Sequence, residues 1–251
     1  MWEFCITVEK DKYCIKNYIH KQLTMYVQNF GGVVTILEKD NFVDILVACN
    51  KFEKHRLILF LQETISEVIC YYYKKDFLSE YLHINIGDKI TKQAFIYSLL
   101  FFDKETDKYI VCKYLNIENR INISGLYNFK LRTLKDKWKE LIEIANENEI
   151  YLYSDETFME LIKFLIDNIE VKSDVINIMS TEDSYAVFDS NFDKINNENV
   201  DLNIEENILA QLITMCPKII NIYCSELLPN RLKTLICKLF EKRVKFISKI
   251  N

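Results

Sequence analysis

The hydrophobic period of this chain switches from two residues to between three and four and back again, so the chain must build both strands and helices. Trp2, Phe4, Ile6 and Val8 alternate with Glu3, Cys5, Thr7 and Glu9, which predicts a strand. Asp11 is placed to cap a helix whose Ile15, Ile19, Leu23, Val27 and Phe30 form one stripe, and Gly31-Gly32 ends it. Val33–Leu37 and Phe42–Cys49 are apolar runs separated by a polar stretch from Glu38, the pattern of a hairpin. Asn50, with Glu53 three residues on, opens a long helix that buries Leu57, Leu61, Ile65, Val68 and Tyr72. Residues 1–82 therefore read β-α-β-β-α, half of a ferredoxin-like pattern.

Residues 83–171 read as helical. Thr91–Lys113 predicts two helices broken near Asp103, and Gly125 punctuates the entry to a helix over Leu126–Asn146. Leu131, Leu134, Trp138, Leu141 and Ala145 share one face of that helix, which predicts a Trp138 buried against the next helix; Arg132, Lys135 and Lys139 share another face. Ser154 or Asp155 can cap the following helix, with Phe158, Leu161, Ile162, Leu165 and Ile169 inward. Residues 172–251 begin with a hairpin, Val175–Met179 and Tyr185–Phe188, joined across Thr181–Ser184. They continue α-β-α-β over Ile204–Met215, Ile219–Cys224, Pro229–Glu241 and Val244–Ile247. Only Asn191–Leu202, rich in Asn, Asp and Glu, looks flexible. The expected class is α+β: an N-terminal β-α-β-β-α unit, a helical middle, and a C-terminal hairpin followed by α-β-α-β. The three parts are expected to pack as one compact protein, and the terminal strands can share one sheet.

With 49% hydrophobic and 27% charged residues, the composition is that of a folded protein, and a net charge of −5 favours solubility over any particular partner. The first residues carry no basic segment followed by an apolar one, so no signal peptide is expected. The longest apolar run, around Ala94–Phe102, is far short of the roughly 20 residues that span a bilayer. Several of the eight cysteines, among them Cys5, Cys49 and Cys70, occupy core-like positions, which predicts free thiols in a reducing cytoplasm.

The search for chemistry is mostly negative. The chain has no phosphate-binding Gly-rich loop, no Gly-x-Ser-x-Gly elbow and no Cys-x-x-Cys, and His20, His55 and His83 are scattered. No catalytic, cofactor-binding or metal-binding residue is predicted. Asp155, Glu156 and Glu160 cluster where a divalent-cation-dependent hydrolase could use them, but acids in a first helical turn also stabilise the helix dipole by about 0.3–1 kcal/mol each. Lys130, Arg132, Lys135 and Lys139, with Lys137, give one helix a basic face beside Tyr127 and Phe129. Arg231, Lys233, Lys238, Lys242, Arg243, Lys245 and Lys249 make the C-terminal end positive. Such faces can grip a phosphate backbone, although a solvated surface is the simpler reading for an acidic protein.

Three stretches resemble one known family. They are Gly125-Leu-Tyr-Asn-Phe-Lys-Leu-Arg132, Glu160-Leu-Ile-Lys-Phe-Leu165 and Leu209-Ala-Gln-Leu-Ile-Thr-Met-Cys-Pro-Lys-Ile-Ile220. Their order, from Gly125 to the C-terminus, is similar to the YtxC-like family of sporulation proteins from endospore-forming bacteria. Lys130 stands where that family usually has arginine, and Ser154–Phe158 departs from its acidic and aromatic run. The resemblance implies a biological setting and transfers no catalytic residue. The resemblance implies the process and the missing chemistry a non-enzymatic role, so the expectation is a cytoplasmic protein that supports endospore formation through contacts with an unknown protein partner. The basic face of Lys130, Arg132, Lys135 and Lys139 is the candidate contact surface. A nucleic-acid-binding module and a cation-dependent hydrolase are the alternatives.

Overall fold

The computed structural model describes residues 1–83, 87–147, 155–180, 185–195 and 203–247. The chain divides into two compact units, Met1–Tyr81 with Lys104–Glu143, and Leu82–Asp103 with Ile144–Asn251. Both mix helices with a four-stranded sheet, and the fold is α+β.

The first unit opens β1 (Trp2–Glu9), α1 (Tyr13–Val27), β2 (Val33–Glu38), β3 (Phe42–Cys49) and α2 (Lys54–Val68). β3 lies antiparallel between β1 and β2, with Ile6 opposite Ile45 and Val34 opposite Val47. The alternation at Phe4, Ile6 and Val8 thus lines one face with Val43, Ile45 and Val47, all buried. The inward stripes of α1 (Ile15, Ile19, Leu23) and α2 (Leu57, Leu61, Ile65) complete that core. Gly31, at φ 70°, supplies the left-handed residue that reverses the chain after α1. Asp11 does not cap α1: Lys12 occupies the N-cap position and no side chain bonds there.

α2 runs into a π-helical segment, Ile69–Tyr73, and then α3 (Lys74–Tyr81). α5 (Lys104–Tyr114) follows, and β4 (Arg120–Asn122) closes the sheet by pairing parallel to β1, in the order β2-β3-β1-β4. The stretch read as a helical middle therefore contributes a strand. A one-turn helix, α6 (Ile123–Gly125), leads into a second π-helical segment, Leu126–Lys130, and α7 (Arg132–Glu147). Leu131, just before α7, and Leu134 and Trp138 on it are buried as predicted, but Ile142 rather than Leu141 continues the buried face. Trp138 meets Phe77 and Tyr127 of its own unit, at ring-centroid distances of 5.7 and 6.4 Å.

The second unit holds α4 (Lys89–Phe101), α8 (Asp155–Asp167), β5 (Val175–Ser180), β6 (Tyr185–Phe188), α9 (Ile204–Met215), β7 (Ile219–Tyr223), α10 (Asn230–Phe240) and β8 (Val244–Ile247). The break between α4 and α5 falls at Asp103, which sits at φ 53°. β5, β7 and β8 run parallel, β6 pairs antiparallel with β5, and the order is β6-β5-β7-β8. Ile176, Ile178, Ile220 and Ile222 are wholly buried, while Asn177 and Asn221, paired between the two strands, interrupt the apolar runs and bond each other at 2.9 Å. The N- and C-terminal strands thus lie in two different sheets and do not share one. The residues that join β5 to β6, and the Ser154 expected to cap α8, lie outside the described residues.

Candidate functional site

The Gly125–Arg132 segment is locally unusual, and its geometry follows from Asn122. The Asn122 side chain accepts a 2.7 Å hydrogen bond from the Gly125 amide and so caps the one-turn α6. A Cβ on Gly125 would meet Asn122 Oδ1 at 3.2 Å, so a glycine suits the position sterically, without any need for positive φ. The chain then widens into the π-helical Leu126–Lys130, a conformation enriched at functional positions. Leu126 and Leu131 turn into the core, and Phe129 is left 86% exposed.

The cations of this region divide sharply. Lys137 donates to Asp107 Oδ1 at 2.7 Å and serves the interior. Lys135 is half-buried, lies over the Tyr127 ring and bonds the Asn128 carbonyl oxygen at 3.2 Å. Lys139 is exposed and sits 3.6 Å from Glu143, one turn on. Lys130 and Arg132 are exposed, with no ion pair among the described residues. Of the predicted contact residues, Lys130 and Arg132 follow the exposed Phe129 in sequence, whereas Lys135 is engaged by Tyr127 and Asn128 and Lys139 lies near Glu143.

Beneath this surface lies a buried charged group that sequence reasoning missed. Lys74 and Asp107 are 1% and 0% exposed, and Lys74 Nζ donates to Asp107 Oδ2 at 2.8 Å. Trp138 Nε1 donates to the same oxygen at 2.9 Å. Burial pushes the Lys74 ammonium below its usual pKa, against the pull of Asp107. Burial also pushes the nearby Cys70 thiol up, and the Asp107 charge adds to this. The partners come from α3, α5 and α7, far apart in sequence, so no local pattern announces the group.

A second buried acid lies on the open face of the first sheet. Asp44 is 3% exposed and accepts hydrogen bonds from Thr7 (2.6 Å), Lys39 and Arg120. Burial alone would raise its pKa; the bonds from Lys39 and Thr7 and the charge of Arg120 outweigh it and bring the pKa down to about 2.

In the second unit, Glu156 and Glu160 line a groove of about 800 Å³ between α8 and α10. The Asp155 side chain lies outside what is described. Lys163, Lys233 and Lys238 line the same groove, and Lys163 pairs with Glu241 at 2.6 Å. Three ammonium groups oppose a divalent cation there. Among the described residues no group of three or more His, Cys, Asp or Glu is placed to hold a metal. Arg231 pairs with Asp88 at 2.8 Å and Arg243 with Asp167 at 2.7 Å, so these C-terminal cations serve internal contacts. Lys249 lies outside the described residues. All eight cysteines are unbridged; Cys49, Cys70 and Cys216 are buried and Cys14 is exposed. Among the described residues no helix is long and apolar enough to cross a membrane.

An α+β chain with two mixed four-stranded sheets defines a class by its architecture and not by a reaction. The YtxC-like family model matches residues 59–245, and the chain belongs to that family. The match starts well before Gly125, taking in most of α2 and the Lys74–Asp107 group as well. No curated protein and no solved structure matches the chain.

Proposed function

We propose that this protein supports endospore formation as a non-catalytic cytoplasmic contact protein, and that Phe129, Lys130 and Arg132 form its contact surface. The observation that carries the reading is the 86% exposure of Phe129, followed in sequence by two exposed cations, Lys130 and Arg132, with no ion pair among the described residues. An isolated exposed ring is ordinary on a protein surface. Here the ring rides on a π-helical turn whose neighbouring Leu126 and Leu131 are buried, so the local backbone holds it outward. An aromatic with adjacent arginine is also the composition of interface hot spots. The biological setting rests on the family resemblance, and the buried free thiols Cys49, Cys70 and Cys216 suit a reducing compartment.

A nucleic-acid reading draws less support. Lys135, Lys137, Arg231 and Arg243 are engaged internally, which leaves few cations per face to neutralise phosphates. Deleting the gene in a sporulating host and counting heat-resistant spores tests the process. Complementation with Phe129→Ser and Arg132→Ala tests the surface. Undiminished spore counts after deletion would remove the process, and full complementation by both variants would remove the surface.

A further inference from the structure

We propose that β2 is a self-association edge. Two copies of this chain pair antiparallel along Val33–Glu38, about a two-fold axis through Thr35, and so join their first sheets into one. β2 ends the strand order of its sheet, so only β3 lies beside it. The Lys39 N–H donates to the Phe42 carbonyl oxygen at 2.9 Å, which makes Lys39 and Phe42 the hydrogen-bonded pair next to the turn. Such pairs alternate along an antiparallel ladder. Leu37, Thr35 and Val33 therefore turn their backbone groups to β3, and Val34, Ile36 and Glu38 turn theirs to the open edge. None of those outward N–H and C=O groups is bonded among the described residues.

An open edge recruits another strand unless it is blunted by charge, proline, a bulge or shortness. The other sheet edges carry such devices. β4 has three residues, β6 is bridged at Phe188 by Lys194, and β8 has four residues with Lys245 among them. β2 is six residues, Val-Val-Thr-Ile-Leu-Glu, in unbroken register with β3 and uncharged until Glu38. Val33 and Leu37 are 64% and 51% exposed, while the half-buried Val34 packs against the core on the other face.

The strand's own sequence argues for a second copy as the occupant. With Thr35 on the axis, Val34 lies opposite Ile36 of the second copy, and their outward N–H and C=O groups meet as a hydrogen-bonded pair. Val33 lies opposite Leu37 of the second copy, so each exposed apolar side chain gains a cross-strand neighbour. Charge sets the direction. In the antiparallel pairing Glu38 and Lys39 of each copy face Gly32 and Gly31 of the other, whereas a parallel, in-register pairing would set Glu38 against Glu38. One strand thus supplies both halves of the contact, as an isologous interface requires. The edge shares no residue with the Phe129–Arg132 surface.

Sedimentation velocity on the full chain over a dilution series is the test, and a concentration-dependent species of twice the chain mass is expected. Thr35 lies opposite itself in a non-hydrogen-bonded pair, where side chains approach most closely. Thr35→Lys and Thr35→Glu should therefore each raise the dissociation constant at least about tenfold through like-charge repulsion. Mixed in equal amounts, the two variants should recombine as a heterodimer. Thr35 is exposed, so both should melt as the native chain does once all are diluted to monomer. Val33→Lys, at a second exposed position of the contact, should weaken the dimer likewise, so the test does not depend on one variant folding. Phe129→Ser should associate as the native chain does, which keeps the result independent of the contact surface. A native chain that stays monomeric at every concentration overturns the proposal. So does a dimer untouched by Thr35→Lys and Val33→Lys, or a Lys and Glu pair that fails to recombine.

Discussion

Trp138 Nε1 donates a 2.9 Å hydrogen bond to Asp107 Oδ2 inside the first unit, and so joins a core aromatic to a buried ion pair. Trp138 is 1% exposed and packs against Phe77 and Tyr127. Its ring is therefore part of the core and its N–H is part of the solvation of Asp107. The two roles separate by mutation. Trp138→Ala should lower stability by about 3–5 kcal/mol, the usual cost of truncating a core aromatic. Trp138→Phe keeps most of the packing and removes the donor, and should cost about 1–3 kcal/mol. Urea melts of both variants check this; an unchanged midpoint for Trp138→Ala would show that the ring carries no core packing.

The Lys74–Asp107 pair makes a different prediction. Lys74→Met leaves Asp107 with Lys137 and Trp138 Nε1 as partners, so it should cost about 1.5–3 kcal/mol, the loss of one charged hydrogen bond. Replacing both, as Lys74→Met with Asp107→Leu, also leaves Lys137 and Trp138 Nε1 without their acceptor. The double variant should therefore lie below Lys74→Met, but by less than the loss from Asp107→Leu alone. A double-mutant cycle by chemical denaturation measures the coupling, and strictly additive losses would mean that the pair is not coupled.

Asp44 sets an acid limb on stability. Its folded pKa, about 2, lies below the ordinary 3.8, so the folded chain favours the carboxylate. The contribution is complete above about pH 4 and is lost as pH falls towards 2. Lys39 and Arg120 approach from the solvent side, with exposures of 46% and 54%, so screening holds the effect to about 1–2 kcal/mol. Asp44→Asn should flatten the stability profile between pH 4 and 2 relative to the native chain. An identical acid limb in both would assign it to other carboxylates.

Much of this architecture was legible because hydrophobic period and punctuation agree. Trp2–Glu9 alternates cleanly, α9 spans Ile204–Met215 as its pattern predicts, and Asp103 breaks the helical run where expected. What was missed depends on distant partners. β4 is three residues, too short to show a period, and is a strand because β1 offers it an edge. Which of Leu141 and Ile142 turns inward is decided by the neighbours of α7 and not by the stripe alone. The candidate sites divide in the same way. Exposed Lys130 and Arg132 are readable from the amphipathic pattern, but the withdrawal of Lys135 onto Tyr127 and of Lys137 onto Asp107 is not. Asp107 itself reads as an ordinary first-turn acid of α5, and only the fold reveals that Lys74 and Trp138 converge on it.

Arg132 and Phe129 give the sharpest contrast with Trp138, because they lie at the other end of the same motif and carry no packing. Arg132 is exposed and has no ion pair among the described residues, so Arg132→Ala should change stability by less than about 0.5 kcal/mol. Phe129 is 86% exposed, so Phe129→Ser should leave the melting curve equally unmoved. If the two residues form the contact surface, both variants fold normally and still fail to restore heat-resistant spores to a deletion strain. A stability loss well above about 1 kcal/mol in either variant would mean that its side chain is held by the fold, and a spore defect could then be explained without any partner. Unchanged melts with full restoration of spores would leave both residues as solvated surface and end the contact proposal.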